Sequence, residues 1–218
     1  MFTFLFYDYE TFGTNPALDK PAQFACVRTD VDFNIIDRSK ILFCYPPIDY
    51  LPNPEAVLIT GITPQYTLVK GSNEFYFSKY IYNILNIGNT CVVGYNNIRF
   101  DDEITRNIFY RNLIDPYDWS WKNGNSRWDL LDVLRAYYAL RPQGINWPKN
   151  KFGMPSFKLE DISKANKISH ILVHNALSDV YATISLAKLL KEKNKRLFQF
   201  LFQNRAKKTL LSLININT

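Results

Sequence analysis

The chain opens with an apolar run, residues 2–8, that ends on two carboxylates, Asp8 and Glu10, one residue apart. Unbroken apolar character over that length predicts a central strand covered on both faces. Residues 22–30 (AQFACVRTD) predict a second strand. Residues 33–45 predict a third, with FNIID and ILFCY either side of a break. Turn chemistry at Asn15-Pro16 and between Asp30 and Asp32 favours antiparallel joining. Residues 46–54 carry four prolines and predict irregular chain. VLITGIT (57–63) reads as a short apolar piece with a turn at Gly61. Residues 73–86 have helical spacing, and CVVGYN (91–96) is a further buried strand. A helix follows, with Asp101 and Asp102 in its first turn and Ile104, Ile108 and Phe109 along one face. Residues 115–128 are a turn-rich aromatic loop, 128–140 turn into helix, and 141–157 form a long loop. A short helix at 157–166 and an amphipathic helix at 176–193 precede a basic helical tail. The order predicts an α/β domain with a mixed sheet covered by helices.

Composition narrows this little. A chain of 218 residues with 47% hydrophobic content fits one domain with a packed core. No apolar run is long enough to span a membrane. The N-terminus lacks the basic segment and cleavage site of a signal peptide. Cys26, Cys44 and Cys91 sit in strand-like runs without metal spacing, so they read as reduced core residues of a cytoplasmic protein. The net charge of +6 suits a polyanionic partner. The chain is also heavy in Asn, Ile, Lys, Phe and Tyr, so part of that charge reflects coding bias.

The carboxylates change the picture more. Alternate residues of a strand share a side, so Asp8 and Glu10 project together at the strand's end. Like charges held together are best tolerated with a cation between them, although two solvated acids would fit this stretch alone. If the first and fourth strands are parallel neighbours, Asp8 and Asp101 emerge at one sheet edge, where sites of open α/β sheets lie. A helix starting near 176 brings Asp179 to the same edge, with His174 just before it. His170 and His174 stand four apart, but the intervening ILV is β-like and no glutamate completes a zincin pattern. His170 therefore reads as solvated.

DYET, NNIRFD and HNALSD reproduce the order D-x-E, N-x-x-F-D, H-x-x-x-x-D of the DEDDh exonucleases. Longer blocks, among them LITGITP, GYNNIRFDDEITRNIFYRN, DPYDWSW and NSRWDLLDVLRA, resemble the bacterial exonuclease I family over essentially the whole chain. The resemblance implies a ribonuclease H-like fold with a mixed five-stranded sheet in the order 3-2-1-4-5, flanked by helices. It implies a single-strand-specific 3′→5′ exodeoxyribonuclease of DNA repair that releases 5′-mononucleotides. Asp8, Glu10, Asp101 and Asp179 match its metal ligands, for two Mg²⁺ with Mn²⁺ as a substitute, and His174 matches its general base. Glu10 also falls where the 3′-terminal nucleotide would meet the metals. The implied partners of this monomer are single-stranded DNA and single-stranded-DNA-binding protein.

Single strands are gripped by aromatic platforms and basic grooves. Tyr117, Trp119, Trp121 and Trp128 lie near Lys122 and Arg127, and each could contact DNA or pack the loop onto the core. The family blocks favour DNA contact for Tyr117, Trp121, Arg106 and Arg135. Lys158 lies in PSFKLE, where the family usually carries arginine, so charge is kept but bidentate phosphate geometry is lost. Residues 1–195 are expected to form the nuclease domain. Residues 196–218 would be a tail towards the family's SH3-like and helical domains. Its Leu197, Phe198, Phe200, Leu201 and Phe202 would leave apolar surface uncovered. Low processivity follows from that reading. The alternative is a non-catalytic remnant that only binds DNA or a partner chain.

Overall fold

The computed structural model describes residues 1–170 and 175–213. Its sheet has the order β3-β2-β1-β4-β5. β1 (Thr3–Thr11) pairs antiparallel with β2 (Pro21–Thr29), which pairs antiparallel with β3 (Lys40–Phe43). Two seven-residue helices follow, α1 (Pro54–Thr60) and α2 (Pro64–Lys70). α3 (Glu74–Leu85) leads to β4 (Thr90–Gly94), parallel to β1. α4 (Asp101–Arg111) returns to β5 (Ser126–Asp129), parallel to β4. α5 (Leu130–Leu140), α6 (Leu159–Ala165), α7 (Ala176–Lys193), α8 (Lys195–Gln203) and α9 (Lys207–Leu213) complete the described chain. This is the predicted strand order and the predicted ribonuclease H-like architecture.

The period of two in β1 builds both cores. Phe4 and Phe6 face the cluster made with α5 and α7, where Val133, Leu134, Val180 and Ile184 are buried. Leu5, Tyr7 and Tyr9 face the opposite cluster, with Phe77 and Ile81 of α3 and Ile104 and Ile108 of α4. Asp8 and Glu10 continue the α7 side. The strand runs to Thr11, so both acids lie within it rather than beyond its end.

Several segments differ from the sequence reading: β5 falls where that reading has a loop, and α2 has no counterpart in it. No strand begins at residue 33: the Asp30 side chain accepts from the N–H groups of Asp32 and Asn34. That turn holds Phe33 at a φ of 64°, so the continuous strand is confined to residues 40–43, with Ile35 making only an isolated bridge to Thr29. VLITGIT lies largely in α1, which Asn53 caps and Gly61 ends in the left-handed conformation at φ 69°.

The tail also differs. α8 folds back on the sheet: Phe198 is buried, and Leu197, Leu201 and Phe202 pack against the same core. Trp128 supplies the bed, with ring centroids 5.1 Å from Phe198 and 5.2 Å from Phe202. Phe200 alone of the five is half-exposed. Truncating a buried phenylalanine removes its contacts and leaves a cavity. Phe198→Ala is therefore expected to cost about 3–5 kcal/mol, read as a lower denaturation midpoint in urea. An unchanged midpoint would mean that α8 is not part of the folded core.

Candidate active site

The site begins with the pairing of β1 and β2. Glu10 lies opposite Gln23. The Gln23 side-chain oxygen accepts from the backbone N–H of Ala176, 3.3 Å away. The start of α7 is thereby tied beside Glu10, and Asn175 caps the helix through the N–H of Ser178. Asp179, in the first turn, thus meets β1. One carboxylate oxygen each of Asp8, Glu10 and Asp179 lies within 4.8 Å of the others.

Asp101 arrives from the other side. Gly94 ends β4 so tightly that a Cβ there would stand 2.6 Å from the Asn97 side chain. The chain turns through Asn96, at φ 65°, and α4 starts at Asp101. The Asp101 Oδ1 accepts from the N–H of Tyr9 at 3.0 Å. Asp101 is outside the 4.8 Å triad, but its charge acts on Asp8. Asp102 points elsewhere. It is fully buried and accepts from the Tyr7 hydroxyl, Asn97 Nδ2 and Arg127 Nη1. The two adjacent acids thus serve different neighbours.

Burial makes this crowding costly. It pushes the Asp8 carboxyl far above the usual range, helped by the charges of Asp101, Glu10 and Asp179. Burial and then Asp179 push Glu10 up to about 8. Burial also raises Asp101, although the Tyr9 N–H opposes the rise. A donor set made only of carboxylates suits a hard divalent cation, whose charge would relieve the repulsion. The residues present therefore fit such an ion.

His170 is not solvated, contrary to its sequence reading. Its side chain is buried and its Nε2 meets Asp179 Oδ1. The partners stand nine positions apart, a spacing that gave no signal of that contact. His174 lies outside the described residues. Beside Asp179 and His170 opens a cleft of about 460 Å³ lined by Tyr95, Leu131, Phe157, Arg135 and Lys158. Lys158 is 75% exposed, and Arg135 also pairs with Asp132 at 3.0 Å.

The aromatic loop divides. Trp119 is completely buried and Trp128 nearly so, hence both are core. Tyr117 and Trp121 are 56% and 66% exposed. Arg106 lies 5.4 Å from the Tyr117 ring centre and pairs with Glu103, and it does not line the cleft. Arg127 is engaged by Asp102.

A five-stranded 3-2-1-4-5 sheet with carboxylates converging at its central strand defines a ribonuclease H-like nuclease fold. A family model for exonucleases of the RNase T type matches residues 5–187, and the chain belongs to that exonuclease family. It is 66% identical to exodeoxyribonuclease I of Buchnera aphidicola subsp. Acyrthosiphon pisum, over 98% of this chain and 52% of that protein. It is 60% identical to exodeoxyribonuclease I of Escherichia coli K12, over 98% of this chain and 45% of that one. The chain thus spans about half the length of these curated relatives. E. coli exonuclease I in complex with a dA16 oligonucleotide superposes with a TM-score of 0.97 at 60% identity, covering 99% of this chain and 46% of that one. The zinc-bound form of the E. coli ExoI–ssDNA complex gives 0.96 at 59% identity, with 99% and 46% covered. An ExoI/SSB-Ct complex gives 0.95 at 60% identity, with 99% and 46% covered. Among the described residues no helix is long and apolar enough to cross a membrane.

The raised carboxylates make stability depend on pH. With its folded pKa near 8 against an ordinary 4.5, Glu10 binds its proton more tightly folded than unfolded. Its contribution is complete below the unfolded value and is lost as pH rises through about 8. The metal-free chain should therefore melt at a lower temperature at about pH 8.5 than at about pH 5.5. Mg²⁺ should restore the loss, and Glu10→Gln should flatten the slope. A melting temperature that rises across this interval in both proteins would contradict the assigned burial.

Proposed function

We propose that the chain is a single-strand-specific 3′→5′ exodeoxyribonuclease that releases 5′-mononucleotides. The observation that carries the reading is the convergence of Asp8, Glu10 and Asp179 within 4.8 Å, with Asp179 also lining a cleft. Asp101 stands against the same strand. The relatives support the substrate: E. coli exonuclease I has been crystallised with oligonucleotides, and exodeoxyribonuclease I is the name of the similar curated proteins.

Asp8, Glu10, Asp101 and Asp179 would hold two Mg²⁺, for which Mn²⁺ could substitute. Bound there, such ions supply an activated water and charge stabilisation for the leaving 3′-oxygen. The chain's own residues do the rest. Tyr95, Leu131 and Phe157 offer the terminal nucleotide an apolar seat beside Asp179. Arg135 and Lys158 line the same cleft and attract the phosphodiester backbone. Glu10 borders the 3′ end. His174, as a neutral imidazole, takes the proton of the attacking water near pH 7. Exposed Tyr117 and Trp121 can stack bases further along the strand, beside Arg106. Single-stranded-DNA-binding protein is a partner on this reading, through the similarity to the ExoI/SSB-Ct complex. A role in DNA repair, as a cytoplasmic monomer of low processivity, completes it.

The test is incubation of the purified chain with Mg²⁺ and end-labelled single-stranded DNA, duplex and RNA. Release of 5′-mononucleotides from 3′ ends of the single strand alone is expected. His174→Ala should slow turnover by about 10²–10⁴-fold. No hydrolysis at any enzyme concentration would favour a binding remnant instead. Contacts separate from chemistry in a binding measurement without metal. Trp121→Ala should weaken oligonucleotide affinity by about 1–3 kcal/mol. Lys158→Arg should tighten it at fixed salt, because a guanidinium can bind phosphate through two parallel bonds. Equal dissociation constants for parent and both variants would remove these residues from the DNA path.

A further inference from the structure

We propose that Tyr7, Asp102 and Arg127 form a positioning unit that sets Asp101 against Asp8. The inference rests on the reading of Asp8 and Asp101 as metal ligands. The first turn of α4 is attached to β1 at the two residues that flank Asp8. The N–H of Tyr9 donates to Asp101, and the hydroxyl of Tyr7 donates to Asp102. Residues two apart in a strand are separated by about 6.6–6.8 Å. Attachments at two such points fix both where the helical turn sits and how it is rotated. Asp8 lies between them.

β5 holds the same segment from the other side. Arg127 Nη1 donates to Asp102 Oδ2. Asp129, two residues further, accepts from the N–H groups of Asn96 at 2.9 Å and Ile98 at 3.3 Å. Asn97 Nδ2 also reaches Asp102, at 3.2 Å. The segment 96–102 is therefore clamped between β1 and β5 immediately before and at Asp101. A fully buried carboxylate satisfied by three donors is a poor device for stability alone, since apolar residues of similar volume do as well or better. What the three directional bonds add is orientation of the turn. Because Arg127 is committed here at 27% side-chain exposure, it is a positioning residue and not a phosphate contact.

Tyr7→Phe keeps a ring that packs 6.0 Å from Phe24 and deletes one donor. Calorimetric titration of the metal-free 218-residue chain with Mn²⁺ should give about tenfold weaker binding in this variant. Its circular dichroism should match that of the parent. Arg127→Lys keeps charge and loses the fork. It should lower kcat on single-stranded oligonucleotide while leaving KM and the salt dependence of DNA binding at parent values. Parent-like Mn²⁺ affinity in Tyr7→Phe overturns the inference. So does an Arg127→Lys variant that raises KM and reduces the salt slope. If Arg127→Lys fails to fold, the Tyr7→Phe titration still decides. A parent chain that binds no Mn²⁺ removes the underlying reading as well, so the two failures are distinguishable.

Discussion

The structure depends on holding like charges together where water is scarce. Asp8, Glu10 and Asp179 crowd within 4.8 Å, with Asp101 alongside, and burial is the largest cause that raises Asp8, Glu10 and Asp101. Left free, such groups would separate towards solvent. The fold opposes this by placing two of them on the middle strand of five, paired on both sides. The other two come on helix starts that are tied to the sheet, α7 through Gln23 and α4 through the Tyr9 N–H. Neither helix can withdraw its acid without giving up a buried hydrogen bond.

That constraint accounts for how the surrounding polar residues are used. Buried side chains such as Gln23, Asn97, Asp102 and Asp129 cluster around the two helix starts. Each one accepts from or donates to backbone or side chain of the segments that deliver acids. The apolar clusters on either face fix the sheet as a whole. They set which face each helix buries, but at a helix's first turn directional bonds hold a carboxylate's position more closely.

Legibility in the sequence followed the same division. α7 spans residues 176–193 as read, because a long apolar period, a capping Asn175 and basic residues in the last turn all agree. β1 was legible from its unbroken apolar run, and the shared side of its two acids from strand alternation, although the strand runs on past them to Thr11. α1 and α2 were missed, since seven residues give too few turns for a period and VLIT has β-branched character. Their starts were nonetheless written as Asn53-Pro54 and Thr63-Pro64, cap followed by proline. The separation of Trp119 from Trp121 was not legible. The buried ring bonds Pro116 oxygen through its Nε1, and two residues of spacing in a 3-10 turn carry no facial pattern. His170 was misread for a similar reason: its partner is fixed by a helix start, not by a local repeat.

Net charge and site charge also act at different ranges. An excess of six cationic side chains favours approach of a polyanion, but its pull is screened beyond about 8–10 Å. A phosphate about 4 Å from a carboxylate meets repulsion of roughly 4 kcal/mol per pair at an effective dielectric of 20. Arg135 and Lys158 line the neighbouring cleft, where they can hold the backbone but not neutralise three or four carboxylates. On the proposed function, the surface charge explains encounter, and the final approach of a scissile phosphate requires positive charge inside the acidic cluster itself. Divalent cations meet that requirement with the donor set present. A lysine introduced among these acids would supply one charge and no activated water, which is why the chemistry and the electrostatics make the same demand of the site.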